Sequence, residues 1–102
     1  MDTAKQELYA NGKIYQIECK TTGQYYIGST VQTLAERLRQ HIAYAHLKKC
    51  TSWRVLEANN FEMTLIEIWP CESKVELLIR EGYHQQMALL KNDMFRSSIM
   101  SR

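Results

Sequence analysis

Two short runs of β-branched and aromatic residues, separated by a turn signal, constrain most strongly how this chain can fold. The first run covers residues 14–17 and the second covers residues 25–28, with Thr22 and Gly23 between them. Ile and Tyr favour strands, and glycine tolerates the positive φ that tight hairpin turns require. The pattern therefore predicts an antiparallel hairpin closed by a two-residue loop at Thr22 and Gly23.

The register of that hairpin decides where its two central tyrosines point. A two-residue loop at Thr22 and Gly23 makes Thr21 and Gln24 the first pair of the hairpin, and counting outward then pairs Ile17 with Gly28. Because side chains alternate along a strand, Tyr15 and Tyr26 then share one face, and a slip of one residue would separate them. Gly28 is expected to leave space beside both rings for a ligand or a backbone. The alternative is that both tyrosines are ordinary half-buried strand aromatics.

A helical pattern follows the hairpin. Thr33 and Glu36 match a capping box at its start. Arg37 and His41 lie one turn apart, on a face next to the apolar stripe, and we expect them to turn toward the hairpin edge. The alternative is a solvated face. The stripe itself consists of Leu34, Leu38, Ile42 and Ala45.

The ordered combination of these motifs resembles the GIY-YIG nuclease family. KIY stands at 13–15, YIG follows at 26–28 after ten residues, and Leu34, Arg37 and His41 come in the next helix. The first motif has a lysine where the family's name-giving glycine stands. The resemblance identifies the chain as a stand-alone catalytic domain of this family, over roughly residues 12–90.

The rest of the chain predicts an α+β fold, a small three-stranded, mainly antiparallel sheet flanked by helices. The strands are expected at 13–20, 24–30 and 61–69, the last with both faces mostly covered. Residues 1–11 form a polar lead-in, 12–90 the domain and 91–102 a polar, basic tail.

A second capping box, at Ser73 and Glu76, opens the last helix. Glu81 borders the apolar stripe of this helix, where a carboxylate can reach a cleft beside the sheet. The alternative is that Glu81 pairs with Arg80 or Lys74. The stripe predicted to face the core contains Val75, Leu78, Ile79, Gly82 and Tyr83.

Hydrolysis of a phosphodiester needs an activated water, stabilisation of phosphoryl charge and help for the leaving oxygen. The chain offers Tyr15 or His41 as the base, Arg37 as the phosphate ligand and Glu81 as the holder of a divalent ion. The resemblance implies the same roles, with one Mg²⁺ or Mn²⁺ on Glu81. It adds that Tyr26 positions phosphate and water, and that His41 orients or replaces the base.

The favoured function is a metal-dependent DNA endonuclease. The alternatives are a non-catalytic nucleic-acid-binding module with the same fold, or a small interaction domain without a nucleic-acid role. We expect Lys48, Lys49 and Arg54 to contact nucleic acid, and a homodimer or a targeting partner protein is possible. Asn92 is an uncertain candidate for an asparagine found late in the family's domain.

Bulk composition adds few constraints. The net charge of +2 permits nucleic-acid binding without arguing for it. No run of apolar residues has transmembrane length or the character of a signal peptide. The three cysteines lack metal-binding spacing, so we expect reduced thiols in an intracellular protein, cytoplasmic or nuclear. A zinc site built from His46, Cys50 and Cys71 is a minor alternative.

Overall fold

The computed structural model describes residues 7–47, 53–57, 59–91 and 98–100 of the chain. The side chains of His46 and of residues 98–100 are not described. The strands are β1 (Lys13–Cys19), β2 (Tyr25–Thr30), β3 (Phe61–Ile68) and β4 (Ser98–Met100). The helices are α1 (Leu34–His46), α2 (Trp53–Leu56) and α3 (Lys74–Lys91).

The strands form one sheet in the order β3-β1-β2-β4. β1 pairs antiparallel with both β2 and β3, which confirms the predicted α+β fold with its three-stranded antiparallel sheet. The short strand β4 adds a parallel partner to β2 and lies within the segment predicted as a polar tail. Among the described residues, no helix combines the length and the apolarity needed to cross a bilayer.

The predicted register of the hairpin is wrong by two residues. Tyr15, not Ile17, pairs with Gly28, and Ile17 pairs with Tyr26. Residues 20–24 connect the two strands, and among them only Gly23 has a positive φ, of 80°. Two-residue hairpin turns need a positive φ at their first central residue, which the β-branched Thr22 disfavours. An even shift leaves every side chain on its original face, so Tyr15 and Tyr26 still point the same way.

The sheet carries a hydrophobic cluster on each face. On one face the cluster packs under α1 and α2, and on the other it packs under α3. Burial of a large apolar side chain contributes about 1.5–3 kcal/mol, so these clusters hold the helices on the sheet. The first contains Tyr15, Ile17, Cys19, Tyr26, Val55 and Leu56. The second contains Ile14, Tyr25, Ile27 and Leu77.

Strand β3 is more exposed than its sequence predicted. Leu65, Ile66 and Ile68 are 45%, 36% and 64% exposed, so the expectation that both faces are covered is wrong. β3 is an edge strand that pairs with β1, and the register of this pairing shifts between Ile14 and Tyr15 of β1. An outer strand receives less cover from the flanking helices, because helices pack over the middle of a sheet.

Helix α3 packs with a different face from the one its apolar stripe predicted. The buried residues are Leu77, Glu81 and Gln85, which follow one another at four-residue intervals. Val75 and Ile79, expected in the core, are 65% and 67% exposed. Polar contacts from the sheet to Glu81 and Gln85 hold the helix in this rotation. Helix α1 begins with the predicted capping box, in which the Thr33 side chain accepts from the Glu36 N–H.

Candidate active site

Tyr15, Arg37 and His41 meet beneath helix α1. The Tyr15 hydroxyl lies 2.6 Å from His41 Nε2, and Arg37 Nε donates to the same hydroxyl at 3.1 Å. Tyr15 comes from the middle of β1, whereas Arg37 and His41 are one helical turn apart on α1. Tyr15 and His41 are 0% and 1% exposed, so the alternative that Arg37, Arg39 and His41 form a solvated face does not hold for the histidine.

The direction of the hydrogen bonds follows from what each group can donate. A guanidinium has no acceptor, so the Tyr15 oxygen must accept from Arg37. In the tautomer that carries its ring proton on Nδ1, the neutral imidazole of His41 accepts the phenolic proton at Nε2. His41 is therefore placed to receive a proton that leaves Tyr15.

Burial sets the protonation states of this cluster. Burial, and to a smaller extent the charge of Arg37, lower the pKa of His41 from 6.5 to about 4, so the imidazole is neutral at pH 7. Burial also raises the pKa of Tyr15 well above its ordinary value near 10, with a further increase from the neighbouring Tyr26. The Arg37 charge opposes this rise without cancelling it, so the phenol keeps its proton.

Gly28 lets the two motif tyrosines pack closely. A Cβ at this position would lie 2.7 Å from the Tyr15 hydroxyl and 2.8 Å from Tyr26 Cε2. The space that glycine was expected to leave for a ligand is therefore filled by the tyrosines themselves. The ring centroids of Tyr15 and Tyr26 are 6.2 Å apart, and Tyr26 also meets the His41 ring edge-on at 5.0 Å.

Glu81 faces the sheet from the buried side of α3, with 5% of its surface exposed. Ser29 Oγ donates to Oε1 of its carboxylate at 2.5 Å, and Gln85 Nε2 donates to Oε2 at 3.1 Å. Both donors are neutral, so the carboxylate is held in place without being paired to a cation in the described part of the chain. The sequence predicted Glu81 at the border of the buried face, whereas the structure places it within that face.

A cleft of about 330 Å³ brings these groups to one surface. Tyr26, Arg37 and Glu81 line it together, while Tyr15 lies behind Arg37 and His41 behind Tyr26. The cleft is also lined by Tyr9, Ser29 and Lys74. Arg37 Nη1 donates to Gln40 at 3.0 Å, and the guanidinium has further N–H groups for an anion.

The donor set suits a hard divalent cation that takes most of its ligands from elsewhere. Within residues 7–47, 53–57, 59–91 and 98–100, no three His, Cys, Asp or Glu side chains cluster to hold a metal. Mg²⁺ keeps several waters and is commonly bound by one or two carboxylates together with substrate phosphates. The Glu81 carboxylate retains lone pairs beyond the two that accept hydrogen bonds, so it fits that mode.

A family model of the GIY-YIG catalytic domain matches residues 11–89 of the chain. The chain belongs to the GIY-YIG family. Membership indicates a nuclease-type function acting on nucleic acid. Comparisons with curated proteins and with solved structures found no match.

The other residues predicted for this GIY-YIG domain lie apart from the cleft or outside the described residues. Arg54 on α2 is not among the cleft-lining residues, and its guanidinium lies over the Trp53 ring at 5.3 Å. Lys48, Lys49 and Asn92 lie outside the described residues. Cys50, required for the alternative zinc site, does so as well, whereas Cys19 and Cys71 are free thiols.

Three residues at the site of this GIY-YIG domain were not predicted from the sequence: Ser29 and Lys74, which line the cleft, and Gln85, which donates to Glu81. Ser29 directly follows the second motif, and Gln85 lies one helical turn after Glu81, so each was within reach of a spacing argument. Lys74 lies two turns before Glu81 and lines the same cleft. Their types are common on protein surfaces, and only the observed rotation of α3 brings Lys74 and Gln85 to the site.

Proposed function

We propose that this chain is a metal-dependent DNA endonuclease that hydrolyses phosphodiester bonds. The observation that carries this proposal is the single cleft lined by Tyr26, Arg37 and Glu81, with Tyr15 and His41 directly behind it. Phosphodiester hydrolysis needs a group that binds the phosphate, a carboxylate that can hold a metal ion and a relay that removes a proton from water. Arg37, Glu81 and the pair of Tyr15 with His41 have the chemistry for these three parts.

Arg37 binds the scissile phosphate in this mechanism. A charged phosphate is a stronger acceptor than the phenol that Arg37 contacts at 3.1 Å, so substrate draws the guanidinium away from Tyr15. That movement uncovers the Tyr15 hydroxyl, which is fully buried without substrate. The phosphate also offsets the Arg37 charge that helps to hold the pKa of His41 low, which makes His41 a better base.

Tyr15 and His41 then move a proton in one direction. The attacking water gives its proton to the Tyr15 oxygen as the phenolic proton passes to His41 Nε2. The water oxygen forms a bond to phosphorus, the bond from phosphorus to the bridging oxygen breaks, and that oxygen takes a proton from solvent. The relay requires no free phenolate, which the raised pKa of Tyr15 makes unfavourable.

Glu81 would hold the divalent ion, Mg²⁺ or Mn²⁺, with one ion at each active site. When bound, such an ion supplies charge stabilisation for the phosphoryl oxygens and the leaving oxygen. Lys74 adds positive charge to the cleft wall and is proposed to contact a neighbouring phosphate. The contacts of Lys48, Lys49 and Arg54 with nucleic acid, the role of Asn92 and the homodimer or partner protein stay predictions.

The test is nicking of a supercoiled plasmid with and without Mg²⁺, comparing wild type with Glu81→Gln. We expect the variant to lose cleavage while its DNA affinity in EDTA stays nearly unchanged. Glu76→Gln is the matched control, because Glu76 lies on the same helix but accepts hydrogen bonds at its start. A variant that cuts at more than about a tenth of the wild-type rate, a loss of only ~1.4 kcal/mol, would remove Glu81 from the metal site. DNA binding without cleavage by the wild type would support the non-catalytic module.

A further inference from the structure

The Glu81 carboxylate is held between the sheet and its own helix. Ser29 on β2 donates to one carboxylate oxygen, and Gln85 on α3 donates to the other. Both bonds reach a side chain that is only 5% exposed. The carboxylate plane is therefore set by two contacts that come from different secondary-structure elements.

Gln85 has a second role that ties this arrangement to the sheet. Its Nε2 also donates to the backbone carbonyl of Ile27 on β2, at 3.1 Å. A carboxylate and a carbonyl can only accept, so both bonds require the amide nitrogen, and the orientation of the amide group is determined. Gln85 is 1% exposed, and water does not compete for these bonds.

Neutral donors have a specific advantage at this position. A lysine or arginine in place of Gln85 would orient the carboxylate but would also cancel its charge, which a metal ion needs. The amide and hydroxyl groups orient it and leave the charge intact. Loss of a hydrogen-bond partner of a ligating group typically costs about 10–100-fold in metal affinity or activity.

We propose that Gln85 is a positioning residue that holds Glu81 ready for a divalent cation, with Ser29 assisting from the other oxygen. This inference rests on the proposed function, in which Glu81 is the metal ligand. It adds that metal affinity depends on a glutamine that touches neither the metal nor the DNA.

The experiment measures Mn²⁺ binding to the whole chain by electron paramagnetic resonance, without DNA. Gln85→Leu removes the amide that makes both hydrogen bonds and keeps a similar side-chain volume. Gln86→Leu is the matched control, since Gln86 is the next residue and its side chain is exposed. We expect Gln85→Leu to weaken Mn²⁺ affinity about 10–100-fold, and Gln86→Leu to change it less than about twofold. In cleavage, the half-saturating Mn²⁺ concentration should rise by a similar factor, with much of kcat regained at saturating Mn²⁺.

Ser29→Ala is the second variant, because a leucine facing a buried carboxylate can unfold the chain. We expect Ser29→Ala to weaken Mn²⁺ binding about 3–10-fold. This loss is smaller than the one expected for Gln85→Leu, because Gln85 still orients the carboxylate. Unchanged Mn²⁺ affinity in the folded variants, or a lower kcat with the same half-saturating Mn²⁺, would overturn the positioning role. Wild-type Mn²⁺ affinity in Glu81→Gln would instead overturn the metal site itself, and this inference with it.

Discussion

Helices α1 and α3 carry the same pair of residues, an arginine followed by a histidine four positions later. On α1 these are Arg37 and His41, and both contact the Tyr15 hydroxyl of β1. On α3 they are Arg80 and His84, and both contact Oε1 of Glu67 on β3, each at 2.7 Å. The two regions thus share one geometry, in which an Arg and a His converge on an oxygen of the sheet.

The partner from the sheet reverses the direction of the histidine hydrogen bond. Tyr15 carries a proton that His41 Nε2 accepts when the ring proton of His41 is on Nδ1. The pKa of Glu67 is lowered to about 2 by its hydrogen bonds from Arg80 and then His84, so it is an ionised acceptor at pH 7. His84 Nε2 must therefore donate. The first arrangement can transfer a proton away from the phenol, and the second is an ion-pair cluster.

Burial and packing separate the two regions further. His41 is 1% exposed, whereas the side chain of His84 is 18% exposed. Arg80 is held between the rings of Trp69 and Tyr83, 4.3 Å from each centroid, which restricts it to a structural position. An Arg and a His at this spacing therefore specify a geometry, whereas their partner and surroundings decide its chemistry.

The sharpest test of the comparison removes one hydroxyl from each region. Tyr15→Phe should lower the rate of plasmid cleavage about a thousand-fold, the scale of losing a proton-transfer group. Tyr83→Phe, beside the α3 pair, should leave the rate within about threefold. Initial nicking rates at saturating Mg²⁺ provide the measurement, with circular dichroism confirming that both variants fold. Similar rates for the two variants would remove Tyr15 from the proton relay.

The arginines give a somewhat smaller contrast. Arg37→Ala should slow cleavage about a hundred-fold, because it removes a donor to the phosphoryl charge. Arg80→Ala should keep near wild-type cleavage but lower the Tm by about 5 °C or less. Arg39→Ala, an exposed change on α1, controls for general positive charge. Equal losses of activity for Arg37 and Arg39 would indicate a basic surface instead of a transition-state contact.

The smallest predicted difference between the two regions is in how the free energy of unfolding depends on pH. Because the pKa of His41 falls from 6.5 to about 4 on folding, its contribution is full above pH 6.5 and is lost as pH falls toward 4. We expect the free energy of unfolding to fall by on the order of 2 kcal/mol across that window, and less in His41→Gln.

The contribution of Glu67 has a lower window. Its pKa falls from 4.5 to about 2 on folding, so its stabilisation is present above pH 4.5 and is lost toward pH 2. Urea unfolding measured from pH 7 to pH 3 separates the two windows. A His41→Gln variant with the wild-type slope between pH 6.5 and 4 would show that burial does not control this histidine.

The α+β sheet could be predicted from the sequence, as could the approach of Arg37 and His41 to the hairpin. Local rules that are strong predict correctly, as the capping box at Thr33 and Glu36 that begins α1 shows. The buried face of α3 could not be predicted, because an apolar stripe of Val75 and Ile79 indicated burial that the structure gives to Glu81 and Gln85 instead.

The sequence was enough to place Tyr15 and Tyr26 on one face and Arg37 beside His41, since side chains alternate along strands and residues four apart share a helix face. Tertiary packing set the surroundings of these residues. Burial beneath α1 keeps the His41 imidazole neutral, and the rotation of α3 turns Glu81 toward Ser29. Protonation and helix rotation depend on the sum of distant contacts, and a local pattern of side chains carries no record of that sum.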